Sequence, residues 1–401
     1  MRAWLTRTLS VVVTSSMVAA AACTGAADDV ASQDEALSDP ALAPLDASEL
    51  TAPLSKWGVR STHQLASDVF ETKWKTSLSD TPLMFLRAYP GAFHADLKQL
   101  ARTRYPGADG LCVGDAHPDN FGYLTSDGVT TIYAFNDLDD SGNCVASIDA
   151  LRYFAAFRLY FDDSGKLDKS LDAYLDEALG AGSRSPTAAA VDVLEGKGEP
   201  LWSEVASDAL TKYTLGDAFR ALPPDELLAL DAATKSAVTL ALASRPSTLV
   251  LDVAQRPRDG GGSGGLTRYW ALAEIGGRRT ILELKETATP GVDFGHAGVP
   301  ASGPERLVGL KAALWDVTDA SDYVYVSLGG TTFLVRDRTR KASADPKSEH
   351  REAQATYLGA LHRGKWKSAK RSHVRAWLHD SSKVIAKRWK DFFEIERAAV
   401  P

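Results

Sequence analysis

The chain has 401 residues and a formal net charge of -7 at pH 7, with 44% hydrophobic and 24% charged residues. A chain of this length is expected to form two or three structural units, and its composition is typical of a globular protein. The negative net charge argues against nucleic-acid binding. Beyond the N-terminal segment, no apolar run reaches the roughly 20 residues that span a bilayer.

The N-terminus has the pattern of an export signal. Arg2 and Arg7 precede an apolar run that ends in small residues before Cys23, as in a signal peptide. Small residues before a cysteine are typical of a bacterial lipoprotein cleavage site, although Ala20 stands where leucine is usual. We therefore expect a lipoprotein signal peptide over 1–23 and a cell-envelope protein with membrane contact through a lipidated Cys23. Plain secretion is the alternative.

The segment after Cys23 is acidic. No basic residue occurs from Thr24 to Leu54, and the stretch is rich in Ala, Ser and Asp without an apolar period. Such a composition buries too little apolar surface to order a chain. The sequence therefore predicts a disordered tether over 24–55.

Apolar spacing predicts a mostly helical lobe over 56–245. The predicted elements are helices over 61–79, 91–104 and 147–161, a strand end before residue 115, a strand over 129–135, and a helical region over 167–243 broken at 180–186, 196–200 and 223–224.

The pattern changes near residue 246 to that of a small β-rich lobe over 246–345, followed by basic helices over 346–401 that we expect to pack on the large lobe. The elements are strands over 267–275 and 279–286, a helix over 303–317, a glycine-turned hairpin over 322–338 and helices over 350–398. The fold class is therefore α+β. The basic helical face is either solvated or in contact with lipid head groups or a phosphorylated partner.

Two short loops in the first lobe concentrate oxygen ligands. They are GDAHPDNFG (114–122) and FNDLDDSGN (135–143), and each follows a strand-like segment. Phosphoryl transfer needs a carboxylate near the acceptor hydroxyl, together with metal ligands. Asp115 and Asn120 have the spacing of the catalytic Asp and metal-binding Asn of protein kinases, and Asp137 follows where a second metal-binding Asp is expected.

His117 lies between Asp115 and Asn120, as in the HGDxHxxN loop of aminoglycoside phosphotransferases. We therefore predict Asp115 and His117 as catalytic residues. Asn120, Asp137 and Asp139 are the predicted ligands of Mg²⁺ or Mn²⁺. Among the predicted site residues only one lysine, at position 285, is available to balance the carboxylates, which also favours a bound cation.

Two other interpretations of these loops remain open. In the first, the loops are purely structural, because Asp and Asn also cap backbone N–H groups in Asx turns. The second is a metal-dependent phosphoesterase, in which Asp, His and Asn bridge a metal pair. That site would draw histidines from late in the chain, where His350, His362, His373 and His379 lie.

The segment GGGSGG (260–265) contains G-x-G-x-x-G at Gly260, Gly262 and Gly265. A strand–turn–strand follows and ends at Lys285, as in a kinase hairpin that covers the phosphates of ATP or another nucleotide and carries a phosphate-binding lysine. Glu305, twenty residues later, is placed to pair with Lys285. The alternatives are a flexible linker and an exposed strand lysine.

Cys112 and Cys144 flank the two acidic loops. In an oxidising compartment such a pair is a disulfide candidate. The alternative is two separate buried thiols.

These motifs together resemble the bacterial domain-of-unknown-function family 2252, a group with kinase-like features, over residues 56–367. The family pattern is G-D-x-H-x-x-N-F-G, then N-D-F-D-E, then a D-x-x-R helix. It is matched here by Gly114, Asp115, His117, Asn120, Phe121 and Gly122, by Asn136, Asp137 and Asp139, and by Asp149 and Arg152. TPLMFLRAY (81–89) and LELKET (282–287) are similar to two further segments of the family, whereas the glycine segment departs from its pattern.

The resemblance implies a protein-kinase-like, two-lobe fold. Kinases place the glycine loop and lysine before the catalytic loop, whereas here they come more than a hundred residues after it. The chain is therefore expected to be circularly permuted.

Three functions are compatible with these motifs. The first is an exported phosphotransferase that uses a Mg-nucleotide and a small-molecule or protein acceptor. The second is a degenerate kinase fold that binds a ligand or partner without turnover, and the third is a metal-dependent phosphoesterase.

Overall fold

The computed structural model describes residues 43–161, 164–296, 305–316, 323–344, 348–366 and 369–400. The predicted signal peptide, Cys23 and residues 24–42 of the predicted tether lie outside these ranges. Within the described ranges, every helix is too short or too polar to cross a bilayer.

The described chain is an α+β protein. Its helices are α1 (Lys56–Ser61), α2 (Ser67–Leu78), α3 (Pro82–Ala88), α4 (Pro90–Leu97), α5 (Ala146–Phe161), α6 (Ser164–Ala178), α7 (Pro186–Leu194), α8 (Trp202–Tyr213), α9 (Ala232–Leu242), α10 (Glu305–Trp315), α11 (Ser348–Leu361) and α12 (Arg371–Ala399). Its strands are β1 (Asp109–Cys112), β2 (Phe121–Leu124), β3 (Ile132–Phe135), β4 (Gly142–Val145), β5 (Thr214–Leu215), β6 (Ala218–Phe219), β7 (Leu228–Ala229), β8 (Thr248–Gln255), β9 (Arg268–Ile275), β10 (Arg278–Glu286), β11 (Tyr323–Leu328), β12 (Thr331–Asp337) and β13 (Lys341–Ser343).

The helical part is organised around α5, whose residues from Ala146 to Phe157 are all buried. The C-terminal helices complete this core: α11 packs on α6 and α7, and α12 packs on α5. Trp377 and Trp389 of α12 are fully buried, and so is Trp366 in the turn that follows α11. The last helices of the chain therefore support the strand-to-helix segment that carries the two acidic loops.

The β-rich part is an antiparallel sheet in the order β11-β12-β10-β9-β8-β7. The two predicted hairpins are confirmed, and each turns on a Gly-Gly pair with positive φ, as type I′ turns require. The sheet is larger than the sequence predicts, because β7 and β8 extend it. Val238 and Leu242 of α9 cover one of its faces. The prediction of helix throughout 167–243 is wrong over 214–229, where three two-residue strands form.

A smaller sheet, β13-β2-β3, joins the two parts. Strand β2 follows the first acidic loop, and β13 follows β12 of the large sheet after a short turn at Arg338–Arg340. Pairing of Ala342 with Tyr123 therefore brings the end of β12 next to the acidic loops. The long sequence separation between the two halves of the site is bridged at this point.

Part of the predicted tether is packed rather than disordered. Leu45 and Leu50 are buried. The Leu45 amide donates to Ser381 Oγ at 2.9 Å, and Arg388 donates to the Leu50 carbonyl at 3.0 Å. Both leucines belong to the main hydrophobic core together with Ile385 and Trp389 of α12. Composition alone does not reveal this long-range packing, so the tether prediction is corrected for residues 43–55.

Candidate functional site

The first acidic loop begins at a glycine that no other residue could replace. Gly114 has φ +76°, and a Cβ there would lie 1.9 Å from the carbonyl oxygen of Asp140 in the second loop. Asp149 of α5 accepts hydrogen bonds from the Val113 amide at 2.8 Å and the Gly114 amide at 2.9 Å. The two loops are thus in backbone contact, and the helix that follows them fixes the entry to the first.

A disulfide between Cys112 and Cys144 ties the same region together, with a Cα–Cα distance of 5.8 Å. The bond joins β1, which leads into the first loop, to β4, which leaves the second. Both cysteines are buried. The disulfide interpretation of the sequence is confirmed.

Asp115 is held by Arg152 and by His117. Arg152 donates to its Oδ1 from Nε at 3.1 Å and from Nη2 at 2.5 Å, and His117 Nε2 lies 3.4 Å from its Oδ2. Burial acts to raise the pKa of Asp115, but His117 and Arg152 hold it below its ordinary value. Asp115 is therefore an ionised carboxylate, and its lowered pKa makes it a weak base.

His117 is buried and neutral in character. Burial lowers its pKa, and Asp115 offsets this effect only in part. Arg87 donates to His117 Nε2 at 3.2 Å and to Asp119 Oδ2 at 2.7 Å. Arg87 thereby fixes the middle of the first loop, which suits His117 to positioning more than to carrying a proton.

The second loop is engaged by the predicted strand lysine. Lys285 donates to both carboxylate oxygens of Asp137, at 3.2 and 3.0 Å, and also pairs with Asp139. Arg336 Nη1 lies 3.4 Å from Asp137 Oδ1. Burial acts to raise the pKa of Asp137, but Lys285 and Arg336 hold it well below its ordinary value. Lys285 thus contacts the acidic loop, while the side chain of Glu305, its predicted partner, lies outside the described residues.

Asp115, Asn120 and Asp137 line one cavity of about 400 Å³. The Asn120 amide donates to the Asp115 carbonyl at 3.3 Å. Asp139 is not part of the cavity lining, but it pairs with Lys285, which is. Among the described residues, the three-residue group closest to a metal-ligand cluster is Cys112, Asp149 and His362. Cys112 is disulfide-bonded, so that cluster is not a metal site.

Part of the glycine segment covers the same cavity. Gly261, Gly262 and Ser263 line it, and a Cβ on Gly262 would lie 3.9 Å from Asp115 Oδ2. The buried Lys73 of α2, which sequence reasoning missed, donates to the Gly262 carbonyl at 2.7 Å. Gly260 and Gly265 face Thr76 and Val69 instead. Of the three predicted glycines, only Gly262 lies at the cavity.

The cavity contains far more positive charge than the sequence predicts. Eight basic and five acidic side chains line it, so the expectation that one lysine faces the carboxylates is wrong. The basic residues are Arg87, Arg256, Arg258, Arg268, Lys285, Arg336, Arg338 and Lys341. Burial lowers the pKa of Lys341, and the neighbouring Arg336 and Arg338 lower it further. The lowered pKa of Lys341 therefore reflects both its burial and the crowding of cations around it.

Asp140 completes the second loop on its other side. Its Oδ1 accepts a hydrogen bond from the Gly291 amide at 2.8 Å. Burial raises its pKa to about 7, and the negative charges of Asp115 and Asp139 add to the effect. The carboxylates of the two loops are close enough to influence one another, as the sequence predicts.

The fold and the site together define an α+β protein with a charged cavity between a β-sheet and two acidic loops. The model of the family described as "Uncharacterized protein conserved in bacteria (DUF2252)" matches residues 69–181. That range includes Asp115, Asp137 and Arg152 but ends before the glycine segment and Lys285. No curated protein matches the chain, and no solved structure does either.

Proposed function

We propose that the protein is an exported, kinase-like phosphotransferase that uses a Mg-nucleotide. The observation that carries the proposal is the convergence of separate segments on one cavity. Asp115, Asn120 and Asp137 line it together with Gly262 and Lys285, although the two groups lie far apart in the chain. A purely structural role for the loops would not require the glycine segment to cover them. Export is proposed from the N-terminal pattern.

Each of these residues suits one task in phosphoryl transfer. The ionised Asp115 would orient the acceptor hydroxyl, and Lys285 would contact phosphate. Asn120 and Asp137 supply oxygen ligands of the kind that Mg²⁺ prefers, with Asp139 next to them. Bound Mg²⁺ would neutralise charge on the phosphate oxygens. Lys285 would then exchange part of its contact with the acidic loop for the ligand.

The order of the segments supports a circularly permuted kinase arrangement. The glycine segment, Lys285 and β12 follow the acidic loops in the chain, yet β13 returns to pair with β2 directly after the first loop. The C-terminal α11 and α12 pack against α6 and α5. We propose that these helices take the structural place of elements that precede the catalytic loop in ordinary kinases.

A degenerate kinase fold that binds a ligand without turnover is the second candidate. It is favoured by the ion pairs within the site, because Arg152 holds Asp115 and Lys285 bridges Asp137 and Asp139. The phosphoesterase has less support. Among the described residues, His117 alone of the histidines lines the cavity, whereas His362 contacts Asp149 in the core.

A transfer assay separates the first two candidates. The purified protein, incubated with Mg²⁺ and γ-labelled ATP, is expected to release or transfer label. We expect Asp137→Asn to lower the rate at least about a hundredfold, since charge-stabilising groups in such sites are typically worth 10²–10³ in rate. Asp109→Asn is the matched control, because this exposed carboxylate pairs with Arg102 away from the cavity. Equal rates in all three proteins would contradict the proposal, and absence of turnover would favour the degenerate fold.

A further inference from the structure

One buried carboxylate in the cavity wall organises two arginines. Glu283 of β10 accepts hydrogen bonds from Arg268 Nη1 at 2.8 Å and from Arg336 Nε at 2.6 Å. Trp270 Nε1 donates to the same carboxylate at 3.2 Å. Trp270 and Arg336 are the direct cross-strand neighbours of Glu283 on β9 and β12. The sheet itself therefore fixes the positions of both guanidinium groups.

The wall built by these residues has a surplus of cations. Glu283 is 1% exposed and is shared between two arginines, while Arg338 and Lys341 line the cavity beside them. Among the residues that the structure describes, no carboxylate forms an ion pair with Arg338. Lys341 donates to the amide oxygen of Asn136 at 2.8 Å, which neutralises no charge.

The acids on the opposite side of the cavity do not offset this surplus. Asp115 is paired with Arg152, which is not part of the cavity wall, and Asp137 is shared between Lys285 and Arg336. The whole chain has a net charge of -7. A cationic wall in an acidic protein is therefore a local feature, and mutual repulsion makes it costly unless an anion binds there.

We propose that Arg268, Arg336, Arg338 and Lys341 bind a phosphate group of the ligand, with Glu283 as the residue that positions the two arginines. The inference rests on the proposed function and deepens it, because it assigns phosphate contacts beyond that of Lys285, which lies beside Arg336 at Asp137 Oδ1. Arginines in fixed orientation match phosphate oxygens through paired N–H donors, which a flexible lysine alone cannot do. The phosphate belongs either to the nucleotide or to a phosphorylated acceptor.

The test is a set of calorimetric titrations of the full chain at constant ionic strength. The probes are inorganic phosphate, tripolyphosphate and a non-hydrolysable ATP analogue with Mg²⁺. Arg338→Met is the variant of choice, since it leaves Glu283 and its partners in place, and Lys341→Met is the second. Arg279→Met is the matched control, because this arginine of β10 pairs with the surface residue Asp217.

We expect at least one phosphate probe to bind the unmodified protein, and Arg338→Met and Lys341→Met each to weaken that binding about tenfold or more. Arg279→Met should bind as the unmodified protein does. If Arg338→Met and Lys341→Met bind the ATP analogue more weakly than the unmodified protein does, the phosphate belongs to the nucleotide. If the two variants bind the ATP analogue normally but lose binding of inorganic phosphate, the phosphate belongs to the acceptor.

The proposal is overturned if no phosphate probe binds, or if the cavity variants and the control bind every probe equally. These outcomes differ from failure of the proposed function. If the protein binds phosphate through Arg338 but transfers none from ATP, the phosphate site stands and the proposed phosphotransferase activity fails. If Arg338→Met and Arg279→Met transfer phosphate at the same rate and bind the probes with equal affinity, the activity stands and the phosphate site fails.

Discussion

Arg152→Met is expected to lower the free energy of unfolding by about 3–5 kcal/mol, the usual cost of removing one partner from a buried ion pair. Arg152 is fully buried, and its only carboxylate partner among the described residues is Asp115, which is 7% exposed. Removing the guanidinium leaves a buried carboxylate whose remaining partner is His117, a neutral imidazole because burial lowers its pKa. Chemical denaturation followed by far-UV circular dichroism measures the loss.

Two comparisons decide whether the loss comes from the ion pair. Asp115→Asn added to Arg152→Met should recover part of the lost stability, because the uncompensated charge is removed. Arg158→Met on the same helix should cost only about 1 kcal/mol, since this half-buried arginine loses hydrogen bonds to Ser382 and the His379 carbonyl rather than a buried charge. Equal losses in Arg152→Met and Arg158→Met would contradict the role assigned to the pair.

Removal of the disulfide by Cys112→Ala with Cys144→Ala is expected to cost about 3–4 kcal/mol. The bond closes a loop over a sequence separation of 32, and this is the loss that chain entropy predicts for a loop of that size. The loop contains both acidic segments, so their mutual placement should loosen as well. Denaturation midpoints with and without reductant measure the effect.

The double alanine variant supplies the control for this prediction, because its stability should not respond to reductant. Thiol labelling of the unmodified protein, unfolded without reductant, should detect neither Cys112 nor Cys144. Two labelled thiols at these positions, or a midpoint that reductant leaves unchanged, would show that the bond does not form in the protein.

The local parts of the site were predictable from the sequence. Strand patterns and Gly-Gly turns place Lys285 at the end of a hairpin, and the spacing of Asp115 and Asn120 marks a loop with oxygen ligands. Both depend on neighbours close in the chain. The cysteine pair was predictable for the same reason, since the two residues flank one motif.

The cations of the cavity were not predictable in this way. Arg268 and Arg336 become neighbours only through Glu283, when β9 and β12 pair with β10 on either side. Arginine on a strand is otherwise typical of a solvated face. The cluster of basic residues in VRDRTRK (335–341) was the available signal. Strand alternation does not tell which of them reach the cavity, because β12 ends at Asp337 and a turn over Arg338–Arg340 follows.

The packing of residues 43–55 shows a second limit of sequence patterns. Leu45 and Leu50 are isolated apolar residues in an acidic segment, so composition predicts disorder. Their partners on α12 lie more than three hundred residues away in the chain. Likewise, residues with weak local preference form the short strands over 214–229, where β7 pairs with the edge of β8 and β5 pairs with β6.

The central claim is that the cavity between the glycine segment and the acidic loops binds a Mg-nucleotide. Calorimetric titration of the purified protein with a non-hydrolysable ATP analogue, with and without Mg²⁺, tests it most directly. We predict binding that requires Mg²⁺, is at least about tenfold weaker in Asp137→Asn, and is unchanged in Asp109→Asn. Absence of binding to the unmodified protein in the presence of Mg²⁺ would contradict the claim, as would binding that Asp137→Asn leaves intact.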